Sequence, residues 1–180
     1  RYSAGVIGQT LAMEGMFAFF LESAFVAALV FGEARLSRRK HLGASFAVWL
    51  GSWLSGYFII TTNAFMQHPT GHRLLEGVLV LDQPFHFLFN PWAIVQYAHT
   101  MTASVVTAAF VVVAVGAFYT LRGQHTEQAS LYLKWGTRVG LVACVLVAFP
   151  TGDRPAKLVA EYPPVALAAM EGRFESGANA

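Results

Sequence analysis

The sequence predicts an all-α integral membrane protein, with about four transmembrane helices that belong to a larger helical bundle. Of its 180 residues, 56% are hydrophobic and only 12% are charged, whereas a soluble domain has about 25% charged residues. Four apolar runs are each long enough to cross a hydrocarbon core, which requires about 20 helical residues. Strands of an outer-membrane barrel are excluded, because they alternate apolar and polar residues in segments of about 10.

The four runs are separated by short polar links and followed by a polar tail. They cover about residues 6–31, 42–66, 91–121 and 131–150. The tail, residues 151–180, contains charged residues and prolines and is predicted to lie outside the membrane. The single cysteine, Cys144, excludes a disulfide scaffold.

Lysine and arginine residues are concentrated in the first and third links. The first link has Arg35, Arg38, Arg39 and Lys40, and Arg122, Lys134 and Arg138 lie at or near the third, whereas Arg73 is alone in the second. Positive residues remain on the cytoplasmic side. Residues 32–41 and 122–130 are therefore predicted to be cytoplasmic, and 67–90 and 151–180 periplasmic or extracellular. Topology thus accounts for the net charge of +2, and no nucleic-acid partner is predicted.

Two glutamates lie deep in the first run. Glu14 and Glu22 are eight residues apart, which in an α-helix is about 12 Å along the axis and about 80° around it. A carboxylate at this depth costs at least about 2.5–3.5 kcal/mol, so it must be protonated, paired, buried in protein or near water. A structural pair that bonds neighbouring helices is one explanation. A proton relay or ligand site is favoured, because one helix carries both residues.

His99 is the only titratable group of the third run apart from tyrosines. A lone histidine in a membrane helix is either a hydrogen-bonding core residue or an axial haem ligand, and the residues alone do not decide between these alternatives. The sequence has no Cys-x-x-Cys-His haem-attachment motif, so any haem is expected to be bound non-covalently.

Two further polar residues, Asn63 and Glu171, give weaker indications of a functional role. Asn63, near the end of the second run, is either a helix-end cap or a polar group that faces a cofactor cavity, and its spacing favours the cap. Glu171 lies in the tail, which is predicted to be an amphipathic surface segment, so a solvated charge is expected there.

Five sequence blocks occur in an order that resembles subunit I of the cytochrome bd-type quinol oxidases, including their cyanide-insensitive branch. The blocks are AMEGMFAFFLES (12–23), LSRRKHLG (36–43), NAFMQHP (63–69), AHT (98–100) and LAAMEG (167–172). The resemblance extends over essentially the whole chain. It places the chain at the family's third to sixth membrane helices and the start of the quinol-binding loop.

The resemblance implies a terminal respiratory oxidase of the bacterial cytoplasmic (inner) membrane. Such an enzyme oxidises ubiquinol or menaquinol and reduces O2 to water. It takes up protons from the cytoplasm and so generates a proton-motive force without pumping. The implied cofactors are low-spin and high-spin haem b, with haem d or a further haem b at the oxygen site. The implied partners are quinol, O2, membrane lipid, a second membrane subunit and small accessory subunits.

The resemblance also assigns roles to individual residues. Glu14, Glu22 and Ser23 match a proton path to the oxygen-reducing haem, with Glu14 nearest to that haem. His99 matches the axial ligand of the low-spin haem b, which decides in favour of ligation at this position. Asn63 matches an asparagine near the haem and the proton path, and Glu171 matches a quinol-loop glutamate.

The chain departs from the family pattern in two respects. Ala166 stands where the quinol loop usually has a lysine, so a quinol contact through that lysine is lost or relocated, with Lys157 as the nearest alternative. The family's first two and last three helices, which supply further haem ligands, have no counterpart here. The chain is therefore interpreted as part of a longer subunit.

Two other functions compete with the oxidase. A non-enzymatic helical bundle that acts as a proton channel or an assembly partner would also retain Glu14 and Glu22. A small dihaem electron-transfer cytochrome is disfavoured, because it requires paired histidines on facing helices, and only His99 lies deep in a run.

Overall fold

The structure, a computed structural model, describes residues 4–162 and 164–173. It contains four helical stretches that are long and apolar enough to cross a membrane, judged by length and composition. These are Gly5–Phe31, Arg38–Gln67, Pro84–Arg122 and Thr126–Glu161. The prediction of an all-α membrane fold is therefore confirmed. The chain divides into two compact units, with the boundary between Tyr97 and Ala98, and each unit is described separately.

The first membrane helix is continuous but changes its winding in the middle. It consists of α1 (Ala4–Met13), a π-helical segment (Glu14–Phe19) and α2 (Phe20–Phe31). The helix ends before Gly32, and α3 (Arg38–Gln67) begins after Ser37, whose backbone is extended. The long helix α3 packs along both α2 and the π-helical segment.

The link between the second and third spans contains structure that the sequence analysis did not predict. Strands β1 (His72–Leu75) and β2 (Val78–Leu81) pair antiparallel, with His72 opposite Leu81. Glu76 and Gly77 join them, with φ of 50° and 79°. Positive φ at both central residues is typical of the tight hairpin turns that match the twist of the strands. A short helix, α4 (Pro84–Leu88), follows.

The buried core of the first unit is small and lies where the hairpin meets the helices. Val6, Phe65 and Phe87 are its buried members, and Leu79, Leu81 and Leu88 pack against them. Elsewhere the helices expose large apolar side chains, such as Phe20 (68% exposed) and Phe31 (74% exposed). Apolar surface on this scale indicates a membrane or protein environment rather than water.

Two tyrosines tie α3 to the segment that follows the hairpin. The Tyr57 hydroxyl donates to the Leu88 carbonyl over 2.5 Å, and the Tyr97 hydroxyl donates to the Trp53 carbonyl over 2.9 Å. Tyr97 belongs to α5 (Pro91–Arg122), so the start of this helix is fixed against α3 by polar contacts inside an otherwise apolar region.

The second unit contains most of α5 and three further helices. They are α6 (Thr126–Ala148), α7 (Asp153–Glu161) and α8 (Pro164–Met170). Helix α6 starts at Thr126 instead of about residue 131 and so includes polar residues that the hydropathy pattern had left in the link. A Cβ atom at Gly136 would lie 2.7 Å from Val113 Cγ2, so α5 and α6 approach closely at a small residue, as membrane helices commonly do.

Candidate functional site

The π-helical segment changes the relative direction of the two membrane glutamates. Its hydrogen bonds skip one more residue than those of an α-helix, as the bond from the Phe20 N–H to the Gly15 carbonyl shows. One extra residue in a turn removes about 100° of rotation. The angle between Glu14 and Glu22 therefore falls from the expected 80° or so to about 20° in the opposite sense. Both residues project toward nearly the same side of the helix.

Glu14 is held by a hydroxyl from the neighbouring helix. Ser55 Oγ of α3 donates a hydrogen bond of 2.7 Å to Glu14 Oε1, and both side chains are half-buried. A hydrogen bond to a carboxylate is stronger than one between neutral groups, and it offsets part of the cost of placing Glu14 at this depth. Ser55 was not singled out in the sequence. The sequence feature that could have identified Ser55 is the pair of small residues that it forms with Gly51, one helical turn earlier.

Glu22 lies where α3 approaches the first membrane helix closely at a glycine. A Cβ atom at Gly51 would be 2.8 Å from the Glu22 backbone nitrogen and 3.0 Å from its Cα and Cβ atoms. Only glycine allows this approach, because the opposing atoms belong to backbone that cannot rotate away. Gly51 and Ser55 are one turn apart on α3, so one face of α3 contacts both glutamate positions. We call Glu14, Glu22, Gly51 and Ser55 the glutamate region.

Ser23 follows Glu22 in the chain but is exposed. Its hydroxyl donates to the Phe20 carbonyl of the preceding turn over 3.3 Å. Ser23 is thus bonded to its own helix and not to a carboxylate.

Asn63 lies inside α3, and the prediction that it caps a helix end is wrong. The helix continues to Gln67, and the cap position is His68. Asn63 Oδ1 accepts a hydrogen bond of 3.4 Å from Gln67 Nε2, and Gln67 Oε1 accepts one of 3.1 Å from Gln96 Nε2. The three amides form a chain from α3 to α5. Because the helix continues past Asn63, its side chain bonds another side chain and does not cap the helix end.

His99 meets a residue beyond the end of α6. The imidazole is half-buried, and its Nδ1 atom lies 3.5 Å from Thr151 Oγ1. In the part of the chain that the structure describes, its Nε2 atom has no hydrogen-bond partner. We call His99 and Thr151 the histidine region. An imidazole with one nitrogen engaged and the other open has the chemistry of an axial iron ligand, so this residue fits a haem.

The two tail residues considered for quinol contact are both in ion pairs. Glu171 Oε2 lies 3.0 Å from Arg173 Nε, and both side chains are about half exposed. Lys157 Nζ lies 2.6 Å from Asp153 Oδ2, one turn away within α7. Surface pairs of this kind contribute little to stability, so both remain open to other partners.

Comparison with known proteins identifies a family that matches this chain. The family model described as cytochrome bd terminal oxidase subunit I matches residues 1–180. The chain belongs to this family. The resemblance that the five sequence blocks indicated is therefore confirmed.

Relatives in this family are identical to this chain at about a third of the aligned positions. It is 37% identical over 178 residues to cytochrome bd-II ubiquinol oxidase subunit 1 of Escherichia coli, covering 98% of this chain and 34% of the relative. It is 31% identical over 179 residues to cytochrome bd ubiquinol oxidase subunit 1 of Bacillus subtilis, covering 99% and 38%. The chain thus spans less than two-fifths of the length of these two relatives.

The fold agrees with a solved member of the family. The structure of bd oxidase from Geobacillus thermodenitrificans superposes with a TM-score of 0.80 at 35% identity, over 97% of this chain and 40% of that one.

Proposed function

We propose that this chain is the part of a terminal oxidase subunit that conducts protons inward and holds the low-spin haem b. In the complete enzyme, quinol is oxidised and O2 is reduced to water, and proton uptake from the cytoplasm generates a proton-motive force without pumping. The alignment of Glu14 and Glu22 against the Gly51–Ser55 face of α3 is the observation that supports this function. Two carboxylates on one side of a membrane helix provide successive proton-binding positions.

The proton path starts at the cytoplasmic end of the first membrane helix. The basic links favour a cytoplasmic position for residues 32–41 and 122–130, and therefore a periplasmic one for 67–90 and 151–180. A proton from the cytoplasm reaches Glu22 first and Glu14 second. Because the π-helical segment absorbs one residue, the two positions are about 10–11 Å apart along the helix axis, so water carries the proton between them. The Ser55 hydroxyl keeps the Glu14 carboxylate oriented, and the hydroxyl proton is shared between the two groups in their hydrogen bond.

His99 is the residue that holds haem in this chain. When bound there, haem b supplies electron transfer. High-spin haem b and haem d, or a haem b in its place, belong to the oxygen site toward which Glu14 directs protons. Asn63 assists as a polar group beside that path. Ser23 has the smallest share in the path, because its hydroxyl bonds its own helix.

In the complete enzyme, quinol contacts the tail of this chain, residues 151–180. Among the described residues, exposed Glu171 pairs with Arg173 at the surface, and a quinol hydroxyl can displace that partner. Ala166 replaces the lysine usual at its position, and Lys157, whose pair with Asp153 is also a surface pair, remains the nearest alternative. A second membrane subunit, small accessory subunits and membrane lipid cover the apolar surface in the bacterial inner membrane.

Substitution of the two glutamates in the complete oxidase tests the proton path. Glu22→Ala is expected to slow proton delivery while haem content remains largely intact, and Glu14→Ala is expected also to perturb the spectrum of the oxygen-reactive haem. Full turnover with quinol in both variants would show that the relay assignment is wrong.

A non-enzymatic bundle that conducts protons would give a different pattern. Such a protein would bind no haem, and its proton flux in liposomes would survive His99→Ala. The oxidase instead requires b-type haem bands in the reduced-minus-oxidised spectrum.

A further inference from the structure

Thr151 is fixed in the turn that follows α6 by two hydrogen bonds to one carbonyl. Its backbone N–H donates to the Leu146 oxygen over 3.1 Å, and its hydroxyl donates to the same oxygen over 2.9 Å. The backbone bond spans five residues, as in the motifs that end helices. A Cβ atom at the next residue, Gly152, would lie 2.5 Å from the Val147 oxygen. The turn therefore requires glycine there and leaves Thr151 little freedom.

The proton of the Thr151 hydroxyl determines which nitrogen of His99 carries hydrogen. A threonine hydroxyl has one proton and two lone pairs, and a carbonyl oxygen can only accept. The bond to the Leu146 oxygen is the shorter of the two, 2.9 Å against 3.5 Å to His99, so the proton is assigned to it. Toward His99 the hydroxyl oxygen is then an acceptor, and Nδ1 is the donor. A neutral imidazole with hydrogen on Nδ1 has its free lone pair on Nε2.

We propose that Thr151 is a positioning residue that fixes the tautomer and the ring orientation of His99, so that Nε2 is the atom that binds haem iron. This inference rests on the proposed function, in which His99 is an axial ligand. A hydrogen bond from Nδ1–H makes a histidine ligand more basic and orients its ring. The 3.5 Å separation is at the long end of hydrogen-bond distances. The bond is therefore weak, and its loss is expected to lower the basicity of the ligand only modestly.

A purely structural role for Thr151 predicts different behaviour. If the hydroxyl only satisfied the end of α6, its removal would lower the thermal stability of the protein. It would leave the properties of the haem unchanged. The reduction potential of the low-spin haem and the rate of haem loss separate these roles, because both depend on the donor strength and the orientation of the ligand.

The test compares variants of the complete purified oxidase. Thr151→Val keeps the shape of the side chain and removes the hydroxyl, whereas Thr151→Ser keeps the hydroxyl. Thr120→Val is the matched control, since the Thr120 hydroxyl bonds only the Gly116 carbonyl of its own helix. For each protein, the midpoint potential of the low-spin haem b is titrated, and haem loss to excess apomyoglobin is measured.

Thr151→Val is expected to raise the midpoint potential, because a less basic ligand stabilises the ferric state less. It should also weaken haem retention by about tenfold, the lower end for lost partners of metal-binding histidines. Thr151→Ser and Thr120→Val should match the wild type. Wild-type potential and retention in Thr151→Val would overturn the inference. Thr151→Ala carries the same test if the valine variant does not assemble.

His99→Ala separates this inference from the proposed function. If the low-spin haem persists in His99→Ala, the proposed ligand is wrong. If His99→Ala loses that haem while Thr151→Val behaves as wild type, the ligand stands and only the role of Thr151 is refuted.

Discussion

The glutamate region and the histidine region both place polar side chains in apolar membrane helices, but they are held in different ways. In the glutamate region, two long helices touch backbone to backbone at Gly51, and Ser55 bonds Glu14 across the same contact. In the histidine region, His99 of a helix meets Thr151 of a turn. One set of contacts is made between two helices and the other at the end of a helix.

This difference matches what the two regions are proposed to do. A proton path needs carboxylates that are held in fixed positions, so that water can bridge them by hydrogen bonds. A metal ligand needs one fixed side and one open side. The glutamate region supplies the first arrangement, and His99 supplies the second.

His99→Ala should have the largest effect of all changes and should separate the two regions most clearly. The low-spin haem b bands are expected to disappear, because this chain then lacks the nitrogen that is proposed to bind iron. Glu22→Gln should retain those bands. The measurement is a reduced-minus-oxidised spectrum with a pyridine haemochrome assay on the purified oxidase. Loss of the bands in Glu22→Gln but not in His99→Ala would contradict the roles proposed for both residues.

Gly51→Ala is expected to have the next largest effect, and it tests whether the glutamate region depends on helix contact. The added methyl group meets the Glu22 backbone and forces the helices apart, at a cost of about 1–3 kcal/mol. Thermal unfolding in detergent and quinol oxidase turnover should both decrease.

Gly43→Ala on the same helix is the matched control for this prediction. A Cβ atom at Gly43 meets nothing within 4 Å, so alanine should leave turnover unchanged and stabilise the helix by about 0.5–1 kcal/mol. Equal behaviour of the two alanine variants would contradict the close contact at Glu22.

Ser55→Ala should have a smaller effect that is confined to the glutamate region. Loss of a hydrogen bond to a carboxylate costs about 1.5–3 kcal/mol, which corresponds to a decrease of about tenfold or more in turnover if that bond orients the proton carrier. Ser52→Ala, at an exposed position of the same helix, should be neutral. A change in the midpoint potential of the low-spin haem in Ser55→Ala would show that the two regions are not distinct.

Ser23→Ala should have the smallest effect. Among the described residues, the exposed hydroxyl bonds the Phe20 carbonyl alone, and a bond of this kind contributes about 0.5 kcal/mol. Turnover and proton uptake measured together should change by about twofold at most. A decrease as large as that of Ser55→Ala would place Ser23 fully in the proton path.

The sequence was sufficient for the membrane fold and for the titratable residues of both regions. Hydropathy located the helices, because an apolar run of sufficient length has few other structures in a membrane. Glu14, Glu22 and His99 stood out because charged and titratable groups are costly at that depth. Their partners Ser55 and Thr151 did not stand out, since small hydroxyl residues are common in membrane helices and turns.

Local winding and turn geometry could not be read from residue periodicity. The π-helical segment at Glu14–Phe19 has no distinguishing residue, although it moves Glu22 to another side of the helix. Asn63 was assigned to a helix end because asparagine is favoured there, but the helix extends to Gln67. The hairpin at residues 72–81 did have a turn signal in Glu76-Gly77, but this pair was not recognised within the long link.

The rate of proton uptake during a single turnover of the complete oxidase tests the central claim most directly. Glu22→Gln is compared with Glu33→Gln, since Glu33 is exposed in the link beyond α2. We predict that Glu22→Gln slows proton uptake by about tenfold or more, while quinol still reduces the low-spin haem at the wild-type rate and Glu33→Gln behaves as wild type. Proton uptake at the wild-type rate in Glu22→Gln would contradict the proposal that the glutamate region is the proton path.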